Sequence, residues 1–373
     1  IYEEKFMKFI CNPTEFSEAL AVVSKALPAK ATTPILEGIK ISVDNDIVTL
    51  SATDVDLFIE RKIKARVLLE GETVVPGRFF TDFIKKLTDL NEIEIEKLDK
   101  DLKILYNGNE TVIKPFDEDT FPEFRDGEEL NSFSVKQREL RDVLERTIFC
   151  VAVDETRPIL KGCLLHLKGE ELTAVALDGY RLAICKCPVV LGEGTAKVVL
   201  PGKNLNEISK ILDDTDDVVK VSIQKNVVKF ELEHTKISTR LIEGDFIAYE
   251  NIIPKDPIGV VTVNKEMFEK GLDRASLIAR KRKNNYVKLD IGENSMNISS
   301  EAESMKISES VPCKLNGTNI VIAFNSKYLF DAFAKINEDY ITMNFVSANA
   351  PATITPIEGD KYKYVVLPVR LAL

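Results

Sequence analysis

Leu172–Cys187, LTAVALDGYRLAICKC, consists of two alternating apolar runs joined through Asp178-Gly179, with Tyr180 and Arg181 leaving the turn. Asp-Gly between alternating runs is the strongest short-range hairpin signal a sequence carries. The stretch has an echo in Leu50–Ile63, LSATDVDLFIERKI, about 124 residues upstream, where Asp54 falls on Asp178. An echo at a fixed distance marks an internal repeat, so the chain reads as tandem copies of one unit.

Upstream, Glu15–Leu27 places Phe16, Leu20, Val23 and Leu27 at helical spacing, with Thr14 as the expected N-cap. TPILEG at Thr33–Gly38 leads into strands through Ile63, with a turn at Asp44–Asp46. An amphipathic helix then comes after Pro76-Gly77, over Arg78–Leu87. Ile93–Ile113 alternates, broken at Asn107–Asn109, before a loop at Phe121–Phe124. The same order restarts with a helix over Gln137–Val151, whose Leu140, Val143, Leu144 and Thr147 face inward. RPILKG at Arg157–Gly162, the opening hairpin and a helix over Asn204–Leu212 after Pro201-Gly202-Lys203 complete it. Pro34 to Pro158, Asp54 to Asp178 and Pro76 to Pro201 are spaced by about 124 residues each. A fainter third copy has helices at Lys265–Ala279 and Ser326–Ile336 and strands at Tyr286–Ile291 and Met296–Ile307, and its hairpin lacks the Asp-Gly. The expected fold is α+β, with three domains at residues 1–129, 130–256 and 257–373 and linkers near Asp126–Asn131 and Pro254–Pro257.

The chain has 373 residues, 45% hydrophobic and 29% charged, enough for a large core in more than one domain. No apolar run approaches the roughly 18 residues that span a bilayer. Met7-Lys8-Phe9 reads as a natural start, so Ile1–Phe6 are set apart from the fold. Six scattered cysteines among apolar neighbours point to buried thiols and a cytoplasmic protein. The formal net charge of −10 argues against nucleic acid unless the cations are segregated. They are expected to be: the six helices are read as carrying more Lys and Arg than Asp and Glu, a basic face against an acidic surface of strands and loops.

No catalytic constellation assembles. His166 and His234 lack metal-ligand spacing, and His166 is expected to be a core residue. Cys185 and Cys187 share a strand face with no second ligand pair; Asp54-Val55-Asp56 is expected to face solvent. Pro76-Gly77-Arg78 and Pro201-Gly202-Lys203 are turn chemistry rather than phosphate loops, and Asp213–Asp217 lacks the Gly and Glu of a calcium loop. No metal, cofactor or enzymatic activity is expected. The residues leave open a DNA-binding assembly and a repeat-built peptide-binding protein without DNA.

TPILEGI, ETRPILKG, LDGYRLA, VVLPGKNLNEISKIL, FIAYENIIP, FNSKYLFDAF and the terminal VVLPVRL occur in that order. Together they resemble the bacterial DNA polymerase III beta subunits, the replicative sliding clamps. The resemblance implies three clamp domains per chain and a head-to-tail homodimer closed into a ring. The helices line the hole, the antiparallel sheets form the outside, and double-stranded DNA passes through without sequence preference. It implies DNA contacts at Lys30, Arg157, Pro158 and Lys203, and a dimer contact of Thr111 and Ile113 with Leu277 and Ile278. It further implies a groove that takes short apolar peptides. From the central repeat come Leu160, Leu177, Gly179, Tyr180, Arg181 and Leu182, then Ile247, Asn251 and Ile252. From the last repeat come Asn325, Tyr328, Asn349, Val365, Leu367, Pro368, Val369, Arg370 and Leu371. Arg181 and Asn325 are expected to meet the peptide's polar atoms. The implied partners are the replicative polymerase, the clamp loader, repair polymerases and mismatch-repair proteins, at the nucleoid.

Overall fold

The computed structural model describes residues 6–31, 33–116, 121–123, 127–153, 156–281 and 285–371. Expectations for Phe124 and Asp126 lie outside them. The chain divides into two compact units: Ile1–Gln137 with Val190–Gly192 and Lys210–Leu241, and Arg138–Val189 with Glu193–Ser209 and Ile242–Leu373. The first holds a five-stranded and a nine-stranded antiparallel sheet, the second a twelve-stranded one. Strands of successive repeats pair directly. In the first unit Thr235–Arg240 runs beside Leu57–Lys64, with Ile237 opposite Ile59. In the second, Arg181–Pro188 runs beside Tyr362–Val366, with Leu182 opposite Val365. The central repeat thus gives strands to the sheets of both units, a division the repeat pattern does not announce.

Among the described residues six α-helices recur in pairs: α1 (Pro13–Val23) and α2 (Gly77–Ile84), α3 (Gln137–Glu145) and α4 (Gly202–Ser209), α5 (Lys265–Ala279) and α6 (Ser326–Phe333). α5 matches its expected bounds; the others stop short, α1 and α3 passing into 3-10 turns at Ser24–Ala26 and Ile148–Cys150. The N-cap of α1 is Asn12, not Thr14. Its side-chain oxygen accepts from the backbone N–H of Thr14 and Glu15, and Pro13 at the first position needs no partner for a missing donor. In the third repeat the expected strand Met296–Ile307 is two, Ser295–Ala302 and Met305–Gly317, turning at Glu303 with φ of 42°. A Glu-Ser turn carries no signal as strong as Asp-Gly.

The two echoed turns are built alike. Asp178 Oδ1 accepts from the N–H of Tyr180 and Arg181 at 2.9 and 3.1 Å; Asp54 Oδ1 accepts from Asp56 and Leu57 at 3.2 and 2.8 Å. The residue after each Asp is left-handed, φ 90° at Gly179 and 81° at Val55. A glycine adopts that conformation without penalty, whereas β-branched Val55 is strained. Val55→Gly is therefore expected to raise stability by about 1 kcal/mol, seen as a higher urea midpoint at unchanged m-value.

The repeated Gly of TPILEG and RPILKG also has a physical cause. A Cβ on Gly38 would lie 2.4 Å from Val74 Cγ1, and one on Gly162 2.4 Å from Val199 Cγ1. The Pro-Gly glycines sit under a backbone oxygen: a Cβ would lie 3.0 Å from Glu37 O at Gly77 and 3.2 Å from Lys161 O at Gly202. Each helix of this pair enters where only a glycine lets it approach the preceding 3-10 turn.

Aromatic contacts knit the cores: Phe16 meets Phe9 and Phe80 edge-on at 5.9 and 5.8 Å in the first unit, and Phe268 meets Phe333 at 4.8 Å in the second. All six cysteines are free, and five are buried. Burial pushes the thiols of Cys11, Cys163 and Cys185 up to about 12. In the native protein at pH 8, a thiol reagent is expected to label half-buried Cys313 first and the others only after denaturation, counted by released chromophore. Among the described residues no helix is long and apolar enough to cross a membrane.

Candidate functional site

The pairing of Leu182 with Val365 brings the central hairpin beside the last strand. Leu160, Leu177, Leu182, Tyr249 and Val365 form one buried apolar cluster, with half-buried Ile242, Ile247 and Ile252 packed against it. Over this floor opens a cavity of about 60 Å³ lined by Leu177, Gly179, Tyr180, Arg181, Leu182, Ile252, Val365 and Leu367. That is about two waters' worth of volume, or the end of one apolar side chain. Tyr180 stands 61% exposed at the rim, its ring stacked on Tyr328 with centroids 6.1 Å apart.

The strand ends at Val366, and the chain continues as an extended tail rather than as more strand. Leu367 N–H donates to Tyr180 O at 2.9 Å and Val369 N–H to Ala323 O at 2.8 Å. These bonds lay Pro368, Val369 and Leu371, all half-buried, between the central hairpin and the strand before α6, with Arg370 exposed. Asn251 is exposed at the end of a 3-10 turn below Ile252. The exposed Asn349 lies in the loop leading to Ala352, which pairs with Val366.

Arg181, expected to meet a ligand's polar atoms, is held by partners within the chain. Its side chain is only 8% exposed. Nε donates to Asp178 Oδ2 at 3.0 Å, Nη1 to Asp331 Oδ2, and Nη2 to Phe149 O at 3.2 Å. The guanidinium carbon lies 4.6 Å from the Tyr328 ring centre and 5.5 Å from that of Phe149. Burial opposes its charge, but Tyr364, Cys150 and the two carboxylates outweigh that and hold its pKa above the ordinary arginine value. Arg181 is a tie between the hairpin and α6, and the rim rings are positioned by it. Asn325 Oδ1 is likewise engaged, accepting from Lys327 N–H at 3.0 Å as the N-cap of α6. Asp331 and Phe149 were not legible as part of this site, since they lie 150 and 32 positions from Arg181.

The helices are not basic along their length. Within their bounds the six carry eight Lys or Arg and eleven Asp or Glu. The cations gather just beyond: Lys25, Lys85, Lys86, Arg146, Lys210, Arg280, Lys281 and Lys335 all lie within two residues after a helix, and no Asp or Glu does. Every helix therefore ends on positive charge, which its C-terminal carbonyls favour. Lys30, Arg157, Pro158 and Lys203 are all exposed. In the second unit, Gly202 at the start of α4 lies against Lys161 O, so Lys203 stands beside the 3-10 turn Pro158–Lys161 that Arg157 precedes. The first unit repeats this corner, with Arg78 Nη2 donating to Pro28 O at 2.7 Å two residues before Lys30.

Of the expected dimer residues, Thr111 is half-buried on Asn109–Ile113, an edge strand of the five-stranded sheet, but Ile113 is 7% exposed and turned into its own unit. On α5, Leu277 is 60% exposed and Ile278 half-buried. His166 is half-buried rather than a core residue; burial and Lys197 lower its pKa.

Family profiles described as the N-terminal, central and C-terminal domains of the DNA polymerase III beta subunit match residues 7–124, 134–247 and 250–370. The chain is 33% identical to the beta sliding clamp of Bacillus subtilis and 32% identical to that of Halalkalibacterium halodurans, over 98% of this chain and 100% of each relative. The crystal structure of the Bacillus subtilis clamp superposes with a TM-score of 0.94, and that of the Thermotoga maritima beta subunit with 0.92 at 29% identity; each comparison covers 98% of this chain and 100% of the other. Matched in order through all three domains, the chain belongs to the DNA polymerase III beta subunit family, the beta sliding clamps.

Proposed function

We propose that two copies of this chain close head to tail into a ring around double-stranded DNA and tether the replicative polymerase to it. The chain is a processivity clamp and non-catalytic. The observation that carries the reading is the match of all three domains, in order, to clamps of the same length. The three domains are taken as residues 1–129, 130–256 and 257–373. The exposed cations at Lys30, Arg157 and Lys203, and those at the helix ends that are exposed, Lys85, Lys86, Lys210, Arg280 and Lys281, supply attraction to phosphates without base readout, so the ring holds DNA and still slides. The apolar pocket beside Tyr180 takes the anchor side chain of short peptides from polymerases, the clamp loader and repair proteins. A cytoplasmic protein working at the nucleoid is the location this reading implies.

The test is retention on DNA after loading by a clamp loader and a high-salt wash. Salt removes electrostatic binding but not a topological link. Retention on a circular plasmid with loss from the same plasmid linearised is the expected result; equal loss from both would leave a peptide-binding protein that does not encircle DNA.

A further inference from the structure

The first unit holds a counterpart of the pocket beside Tyr180. Shifted by the repeat distance of about 124 residues, Leu177, Gly179, Tyr180 and Leu182 fall on Thr53, Val55, Asp56 and Phe58. The neighbouring strand matches as well: Ser238 lies opposite Phe58 as Val365 lies opposite Leu182. Arg240 N–H donates to Asp56 O at 2.9 Å, the same bond that Leu367 N–H makes to Tyr180 O at 2.9 Å. Thr53, Val55, Asp56, Phe58, Ser238 and Arg240 all line one cavity of about 230 Å³. Phe58, Ser238, Pro122 and Glu123 also line an adjoining one of about 310 Å³. The backbone frame is shared and the chemistry is not. Where the second unit has Leu177, Tyr180, Val365 and Leu367, the first has Thr53, Asp56, Ser238 and Arg240.

The larger cavity opens over cations and hydroxyls. Lys229 stands opposite Ser238 across the strands, and Lys236, two residues before Ser238, shares its face of the sheet. Lys40, also in the lining, is held by Glu72 at 2.9 Å. Of the carboxylates here, Glu60 lies 3.9 Å from Lys62 and Asp56 3.9 Å from Arg240, while Glu123 is exposed. Lys236 meets Glu231 only at 4.0 Å. Lys229 is half-buried; burial lowers its pKa, against Glu231 and together with Lys236. Ser238 and Ser51 line the same cavity, 4% and 8% exposed, and neither hydroxyl has a hydrogen-bond partner among the described residues. Buried hydroxyls without partners beside two ammonium groups favour an acceptor that carries negative charge.

We infer that the first unit carries a second docking pocket for short peptides, whose guest is an acidic side chain set between Lys229, Lys236 and the Ser238 hydroxyl, its aliphatic stem against Phe58 and Pro122. The inference rests on the peptide reading of the pocket beside Tyr180, because the shared frame is what points to a peptide here. The two cavities together exceed the 60 Å³ beside Tyr180 several-fold, so they hold a side chain along with part of its backbone. An apolar anchor is the wrong guest, since it would leave Ser51 and Ser238 unpartnered and desolvate Lys229 further. Each chain then offers two pockets of one backbone design, one that selects apolar side chains and one that selects acidic ones.

Fluorescence anisotropy of a fluorescein-labelled tetraglutamate peptide, titrated with the full chain at low salt, tests this. Saturable binding is expected, with the matching tetraglutamine peptide about tenfold weaker or worse. Lys229→Met is expected to weaken the acidic peptide about tenfold and Ser238→Ala about fivefold. Both are expected to melt as the wild type does, which separates loss of the pocket from loss of the fold. Lys225→Met, which removes an exposed lysine on the turn before Val227, is expected to bind the acidic peptide with wild-type affinity. An unlabelled apolar clamp-binding peptide is expected not to displace the acidic one. Displacement would put the probe beside Tyr180 and overturn the second pocket, as would full affinity in Lys229→Met. Binding of the apolar peptide without any binding of the acidic one would overturn this inference alone. Failure of the apolar peptide to bind would overturn the reading on which it rests.

Discussion

Arg181→Met is expected to destabilise the protein by about 3 kcal/mol and to weaken binding of a short apolar clamp-binding peptide about tenfold. Methionine keeps the length of the stem and removes the charge and every donor. The carboxylates of Asp178 and Asp331 then face each other's neighbourhood without the cation between them, and Phe149 O loses its partner. Removing one member of a buried, bonded charge group costs more than the group is worth, because the others remain desolvated. In a unit of this size, the thermal midpoint should fall by about 8 °C. Peptide affinity falls because the guanidinium lies against Tyr328, on which Tyr180 stacks at the rim of the cavity. Arg181→Lys keeps the charge without the planar fork and is expected to lie between the two. An unchanged midpoint in Arg181→Met would show that the tie carries no stability. Calorimetry with the peptide and a melting curve separate the two effects.

Gly162→Ala should cost about 2 kcal/mol, although it adds a single methyl group. The new Cβ would lie 2.4 Å from Val199 Cγ1, 2.9 Å from Ile242 Cδ1 and 3.0 Å from Leu200 O. Both side chains belong to the apolar cluster beneath the cavity, and neither can yield without moving its neighbours. The same substitution is therefore expected to weaken peptide binding. Gly38→Ala meets the equivalent obstacle, Val74 Cγ1 at 2.4 Å, but in the first unit, whereas the pocket is built from residues of the second. It should lower the midpoint by a similar amount and leave the peptide's affinity as it was. Equal loss of binding in both variants would mean that the effect at Gly162 is global instability rather than displacement of the pocket floor.

Local periodicity made much of the architecture readable. Lys265–Ala279 is a helix to the residue because its apolar positions recur at helical spacing and Asn264 caps it, accepting from Met267 N–H at 3.0 Å. Leu140, Val143, Leu144 and Thr147 are all fully buried, as their spacing required. The ends of α1 and α3 are not legible in the apolar spacing, because a 3-10 turn of three residues continues it after each. Helix ends also decide where the charge sits: the cations stand just past them, where carbonyl groups without intrahelical partners favour positive charge.

The amino-acid sequence by itself determined the repeat, the order of helix and strand within it, the Asp turns and the family, because each depends on residues close together or on motifs in order. Only the tertiary structure decided which donors Arg181 has left for a ligand, which side of α2 stays exposed and which way Ile113 points. Those outcomes depend on partners far away in the chain, Asp331 and Phe149 for Arg181 and Tyr106 for Phe83 on α2. A hydrophobic pattern records that a side chain seeks burial; it does not record whether its own unit has the room to bury it.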